Sequence, residues 1–365
     1  MTTRTGRFTA ACLIAAVSTG AVAANAGETW KFGEDASLTV GAGIRVIYRD
    51  VDGVDDADVE SVRLYTGGQL TKVIGFTFNA DVGRDAEGDI DSLRAYDAIA
   101  RFEFNDYFNV WAGRMVLPVD RANLAGQYYM GNWDFPLVNN FPSYVAGRDN
   151  GVAIWGQTGG GKFKYQVGAF QGCSDDAPCS TGSNRDDNPL FAGRLSYAFW
   201  DPEPGYYPAT DYYGQKEILS IGLSTAFQED ATGTTTDRGD YKSFAIDGLM
   251  QKKIATGGVV TLEGSYYYYD TDDKVTPLVS GSGYYVLASY LFPEKIGIGQ
   301  FQPVAQFQSL DRDDGGLDVT KWEVGTNYII KGHDARLSAI YSQTDYEGDG
   351  QGAIDGYLLG LQLQY

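Results

Sequence analysis

Sixteen stretches of alternating apolar and polar residues run from residue 36 to residue 365, and the connections between them alternate in length. The stretches are 36–49, 59–70, 72–84, 91–105, 107–116, 150–158, 162–171 and 190–200, then 216–228, 241–253, 258–269, 283–292, 299–310, 319–331, 334–344 and 355–365. One set of connections is short: Thr71-Lys72, Asn105-Asp106, Gly159 to Gly161, and Lys331 to Asp334. The other set is longer and acidic: 50–58, 84–91, 171–189, 229–240, 270–282, 310–318 and 345–354. A soluble multi-sheet protein has no reason to sort loop length by parity. A membrane-spanning antiparallel barrel does, because every turn of one parity lies on one side. The stretch 201–215 breaks the rule, being long on the short-turn side.

Within the stretches the period is two. Leu38, Val40, Ala42, Ile44, Val46 and Tyr48 share one face of the first, and Tyr96, Ala98, Ala100, Phe102 and Phe104 one face of the fourth. In the last, Tyr357, Leu359, Leu361, Leu363 and Tyr365 oppose Gly360, Gln362 and Gln364. An apolar face against a small or polar one, over about ten residues, suits a tilted strand with lipid on one side. The expected fold is all-β: a transmembrane antiparallel barrel of about sixteen strands. The terminal Tyr365 resembles the closing-strand signal of bacterial outer-membrane proteins.

The N-terminus agrees. Residues 1–26 read as a signal peptide, with Arg4 and Arg7, an apolar run from Phe8 to Val22, and Ala24-Asn25-Ala26 as the cleavage site. Residues 27–365 are then the barrel, and no later apolar run approaches the roughly 20 residues of a membrane helix. Glycine (47) and tyrosine (26) are abundant and proline (11) is scarce, a mix that fits bends in the wall and aromatic girdles. Net charge is −20 before cleavage, which excludes nucleic acid as a partner for want of a basic patch. Cys173 and Cys179 flank a short loop, and in an exported chain that spacing reads as a local disulfide.

Few residues offer chemistry. Gly156 to Lys162 matches most of a phosphate-binding loop, but Phe163 occupies the Ser/Thr position and a strand follows, so a glycine-rich hairpin turn is the better reading. The acidic loops lack full calcium-loop spacing and read as a solvated outer face, able to bridge through divalent ions to lipopolysaccharide. The sole histidine, His333, falls in a short turn away from the lumen, which leaves a barrel enzyme without its usual base. No cofactor and no metal site are expected.

One connection stands apart. Residues 117–149 are long, and Tyr128, Tyr129, Trp133, Phe135, Phe141 and Tyr144 argue for order within them. Gly113-Arg-Met-Val-Leu-Pro-Val-Asp-Arg121, then Trp133-Asp-Phe-Pro, then Ala146-Gly-Arg-Asp-Asn-Gly-Val152 resemble the fifth strand, third loop and sixth strand of the phosphate-selective porin O and P family. The resemblance implies a sixteen-stranded, usually trimeric outer-membrane barrel whose third loop folds into the lumen. It implies passive diffusion of small hydrophilic solutes or ions, with anions such as phosphate or other oxyanions as cargo. A structural barrel or adhesin is the second reading and a barrel enzyme the last. The third loop here carries Arg121 and Arg148 but no lysine, and it adds Asp120, Asp134 and Asp149.

With the apolar faces outward, Arg45, Arg63, Arg101, Arg114, Arg194 and Arg336 face the lumen, with Asp81, Asp97, Glu103, Asp247, Glu263 and Glu323. Gln300, Gln302, Gln306 and Gln308 join them. So many charges exclude a dry core and point to a water-filled channel. The expected constriction sets Arg114, Arg121 and Arg148 against Asp120, Asp134 and Asp149. Its expected partners are outer-membrane lipid and lipopolysaccharide, small hydrophilic solutes, and two further copies of the chain.

Overall fold

A computed structural model describes residues 27–84, 90–174, 179, 182–184, 186–274, 276–348 and 352–365. The signal segment 1–26 and most of the connection 84–91 lie outside the described residues. The chain is built of strands, β1 (Glu28–Phe32), β2 (Ala36–Val51), β3 (Val54–Gln69), β4 (Ile74–Arg84), β5 (Ile90–Asn105), β6 (Phe108–Val116), β7 (Arg148–Thr158), β8 (Phe163–Phe170) and β9 (Leu190–Ala198). The second half adds β10 (Ile218–Gly233), β11 (Arg238–Lys253), β12 (Val259–Asp270), β13 (Gly281–Leu291), β14 (Gln300–Arg312), β15 (Val319–Lys331), β16 (Ala335–Tyr346) and β17 (Ile354–Gln364).

Each strand from β2 onward pairs antiparallel with the next, and β17 returns to pair with β2. The result is a closed antiparallel barrel of sixteen strands, β2 to β17. Closure removes the unpaired edges that lipid could not satisfy. The extra strand β1 was not foreseen. It pairs with residues 36–40 of β2, on the edge that β17 leaves free below its own pairing with residues 43–51.

Alternation does what the period predicts. Leu262, Tyr266, Tyr268, Val286, Phe307 and Val324 are exposed, while Glu263, Ser265, Gln306, Gln308 and Glu323 on the same strands are buried. A large apolar side chain left in water forgoes about 1.5–3 kcal/mol of burial. A belt of such residues around a closed wall is therefore built for hydrocarbon.

Three expectations need correction. The acidic stretch 50–58 is not a loop, since β2 and β3 run on to a two-residue turn at Asp52 and Gly53, both at positive φ. Acidic side chains above the membrane carry no cost in an extended strand, so charge hid the hairpin. Tyr96 is not on the outer face with Ala98. A bulge where Asn79 opposes Asp97 and Ala80 opposes Ala95 turns it inward, beneath the guanidinium groups of Arg63 and Arg148. His333 does sit in the β15–β16 turn, but its ring packs inward between Tyr129 and Tyr213.

Candidate functional site

The connection 117–147 begins with a single helical turn, Arg121–Ala125, buried throughout. Asp120 caps it by accepting from the Ala122 N–H, and Gly126 ends it at positive φ. At the far end Gly147 also has positive φ, and a Cβ there would collide with the Asn123 side chain. That is the physical reason for glycine in the Ala146-Gly-Arg-Asp segment.

From there the connection is held by a run of strands from β12 round through the β17–β2 closure to β3. Arg45 of β2 donates to the carbonyls of Gln127 (2.7 Å) and Trp133 (2.9 Å), and its guanidinium stacks 4.0 Å from the Trp133 ring. Tyr128 hydroxyl meets Ser61 of β3 at 2.9 Å. Arg336 of β16 donates to the Met130 carbonyl at 2.6 Å and the Asn132 carbonyl at 3.3 Å. Asn132 donates to Glu323 of β15 at 3.0 Å, and the Leu137 N–H to Gln308 of β14 at 2.7 Å. Tyr267 of β12 donates to Asp120 at 2.8 Å, and Tyr269 to the Val138 carbonyl at 2.8 Å.

The residues expected to form the constriction are not set against one another. Arg121 forks onto Glu203 at 2.8 and 2.7 Å, donates to Ser220, and lies 3.9 Å from Asp247. Arg148 pairs with Asp97 at 3.3 Å. Arg114 is hydrogen-bonded by neutral groups, Asn150 at 3.0 Å and the Ala95 carbonyl at 2.9 Å, with Tyr144 stacked 4.0 Å away. Asp134 takes a fork from Arg49 at 2.9 and 3.0 Å. Asp149 accepts from the N–H groups of Asn150 and Gly172. Asp120 is spent on its cap, on Tyr267 and on Asn139 at 2.7 Å.

The lumen-wall residues are paired as well. Arg45 also bridges Glu60 at 2.8 Å, and Arg63 bridges Asp81 at 2.8 Å. Arg101 holds the Gly68 carbonyl at 3.0 Å and lies 3.5 Å from Glu103. Arg194 forks onto Asp247 and reaches the Val119 carbonyl at 2.9 Å. Glu263 accepts from Tyr285 at 2.7 Å, and Glu323 gathers Gln306, Gln308 and Lys321. Buried charges survive best when paired, and Arg45, Arg63, Arg101, Arg194 and Glu323 each have a partner of opposite sign, while Glu263 is held by the Tyr285 hydroxyl. Cys173 and Cys179 are joined by a disulfide, their Cα atoms 5.2 Å apart.

The sequence reading missed Glu203. Burial alone would push its carboxyl up, but Arg121, with Lys164 behind it, outweighs that and holds it at about 2. Asp120 has no such cation in contact. Burial, with Asp247 nearby, pushes it up to about 6. The signal for Glu203 was present, for it lies in the stretch 201–215 that broke the loop-length rule.

The sequence pattern of the family described as "Phosphate-selective porin O and P" matches residues 38–365. No curated protein matches the chain in sequence. Among solved structures, the chain is similar to an anion-selective porin from Comamonas acidovorans, at 13% identity and a TM-score of 0.59 over 90% of this chain and 100% of that one. It is also similar to OmpT of Vibrio cholerae, at 10% identity and a TM-score of 0.58 over 93% of this chain and 100% of that one. The outer membrane channel DcaP of Acinetobacter baumannii gives 14% identity and a TM-score of 0.57 over 93% of this chain and 100% of that one. At such identities the likeness speaks for the fold.

Proposed function

Because the chain belongs to the phosphate-selective porin O and P family, a passive channel of the bacterial outer membrane, we propose that its connection 117–147 lies across the lumen and sets the size of what passes. One observation carries this reading. The connection is rooted at β6 and β7 yet is hydrogen-bonded by inward-facing side chains of β2, β3, β12, β14, β15 and β16, and β14 lies eight strands round the sixteen-strand wall from β6. A root on one side and a hold on the far side support a course through the space between them. The short-turn mouth is then periplasmic and the acidic loops face outward.

The permeant species are small hydrophilic solutes and ions. Charge is largely cancelled inside the barrel, since Arg45, Arg63, Arg121, Arg148 and Arg194 each have a carboxylate partner. Arg114 and the fully buried Arg336 are both held by neutral groups, and Arg114, half-buried, keeps its charge available to the pore, so a weak anion preference at high salt follows. Phosphate and other oxyanions belong to the class it would favour. At low salt the acidic outer loops act over a longer range and shift the preference toward cations.

The same reading includes export through residues 1–26, assembly as a homotrimer, and divalent bridging of the outer loops to lipopolysaccharide. It includes no catalysis, because His333 is occupied in holding Asp211 and packing on Tyr129 and Tyr213. The comparison structures include a trimeric form of OmpT from Vibrio cholerae, at 11% identity.

Purified protein in a planar bilayer tests the reading. Discrete conductance steps are expected, with reversal potentials across a molar KCl gradient of weakly anionic sign that fall toward zero in Arg114→Ala. Absence of steps would end the channel reading. A strong cation preference unchanged by Arg114→Ala would remove Arg114 from selectivity.

A further inference from the structure

The β9–β10 connection, 199–217, has nineteen residues, while the other turns at that mouth span two to eight. Hairpin strands need about two to five residues to turn. The excess is not hanging free. Lys164 and Gln166, inward on β8, donate to the carbonyls of Gly205 (3.2 Å) and Tyr206 (2.8 Å). A few residues on, Asp211 accepts from Gln251 of β11 and from Gln302 of β14, both at 2.6 Å. The Asp211 carbonyl meets His333, in the β15–β16 turn, at 2.8 Å. Within seven residues the chain has passed from β8 to the far wall, and Glu203, Thr210 and Asp211 along it are buried.

This segment also meets the connection 117–147, which enters from the opposite mouth. The Gly131 N–H donates to Thr210 Oγ1 at 2.8 Å, and the Thr210 N–H to the Tyr129 carbonyl at 3.1 Å. Arg121 reaches the Ala209 carbonyl at 2.7 Å and forks onto Glu203. At this level Arg121 and Arg194 stand beside Glu203 and Asp247, with Lys164 behind Glu203, so cations and carboxylates are interleaved. Take Glu203 away and the balance at this level moves by one positive charge, in a narrow place where each charge acts strongly.

We infer that 199–217 is a second constriction element, reaching into the lumen from the short-turn mouth, and that Glu203 fixes the charge which this level of the pore shows to passing ions. The inference rests on the channel reading above and extends it. Sequence resemblance pointed to one inward loop; this inference adds a second, latched to the first by the Arg121–Glu203 pair.

Two variants test it on the full-length barrel in planar bilayers. Glu203→Gln keeps the shape and removes the charge. It is expected to raise the anion-to-cation permeability ratio at least twofold, read from the reversal potential. Replacing 204–212 with a three-residue Gly-Ser linker is expected to raise single-channel conductance at least twofold. If the shortened chain does not form a heat-modifiable barrel, Glu203→Gln decides alone. Wild-type steps with an unchanged reversal potential in Glu203→Gln would overturn the inference and leave the channel reading standing. No steps from wild type would defeat the channel reading, and this inference with it.

Discussion

A Cβ at Gly360 would lie 2.5 Å from the indole of Trp133, so these two residues fit together only because position 360 has no side chain. Gly360 sits on the inner face of β17, between Leu358 and Gln362. Trp133 is 1% exposed, with Arg45 4.0 Å from its ring on one side and Arg336 5.5 Å away on another. The ring has nowhere to retreat.

Gly360→Ala is therefore expected to displace residues 131–134. Overpacking of this kind costs about 1–3 kcal/mol. The barrel should unfold at lower temperature in detergent, and its conductance should change. Identical thermal midpoint and conductance would show that Trp133 is not seated on β17.

Arg45 is the second anchor, and its replacement distinguishes charge from shape. Arg45→Ala strands Glu60 and two carbonyls, and breaking a buried pair costs about 3–5 kcal/mol. Glu60 is partly exposed, so the lower end is expected. Arg45→Lys should recover only part of the loss, because a single ammonium nitrogen on a shorter reach cannot serve two carbonyls and Glu60 as the three guanidinium nitrogens do. Full recovery in thermal unfolding would reduce the role of Arg45 to its charge.

The chain ends in a zipper. The Tyr365 carbonyl accepts from the Ala42 N–H at 2.7 Å, its own N–H donates to Ala42 at 2.8 Å, and its hydroxyl reaches Glu28 of β1 at 3.2 Å. Tyr365→Ala keeps the backbone bonds and loses the ring at the membrane boundary. Lower outer-membrane yield with intact export is expected. Equal yields of heat-modifiable barrel would remove the terminal aromatic from assembly.

Acid should loosen the β15–β16 turn. Burial pushes the His333 imidazole down to about 4, from an ordinary 6.5; the Asp211 carbonyl opposes the fall and Arg336 adds to it. The folded value lies below the unfolded one, so between them the unfolded chain binds more protons. This contribution is complete above about 6.5 and is lost as pH falls toward 4. Thermal midpoints of wild type and His333→Asn, measured from pH 7.5 to 4.5, should converge in acid. Parallel curves would mean that His333 carries no such proton.

The strands were legible because a membrane wall writes itself in period two. Residues 319–331 were bounded to the residue, and most other strands to within two or three. What misled was local. A bulge at Tyr96 reverses facing without changing composition, and acidic strand ends at 50–58 look like loop. The interior partners were not legible, because Arg121 finds Glu203 across 82 positions and no periodicity spans that distance. The one usable sign was an excess of chain at 201–215, on the side where turns are short.

The barrel closes where β17 meets β2, and residues 127–133 touch both sides of that join. Arg45 holds them from β2, while Gln362 on β17 donates to the Tyr128 carbonyl at 3.0 Å and Gly360 admits Trp133. The middle of the polypeptide thus bridges its two ends. On the course proposed for 117–147, this segment is a cross-brace over the seam, tying the first barrel strand to the last from within.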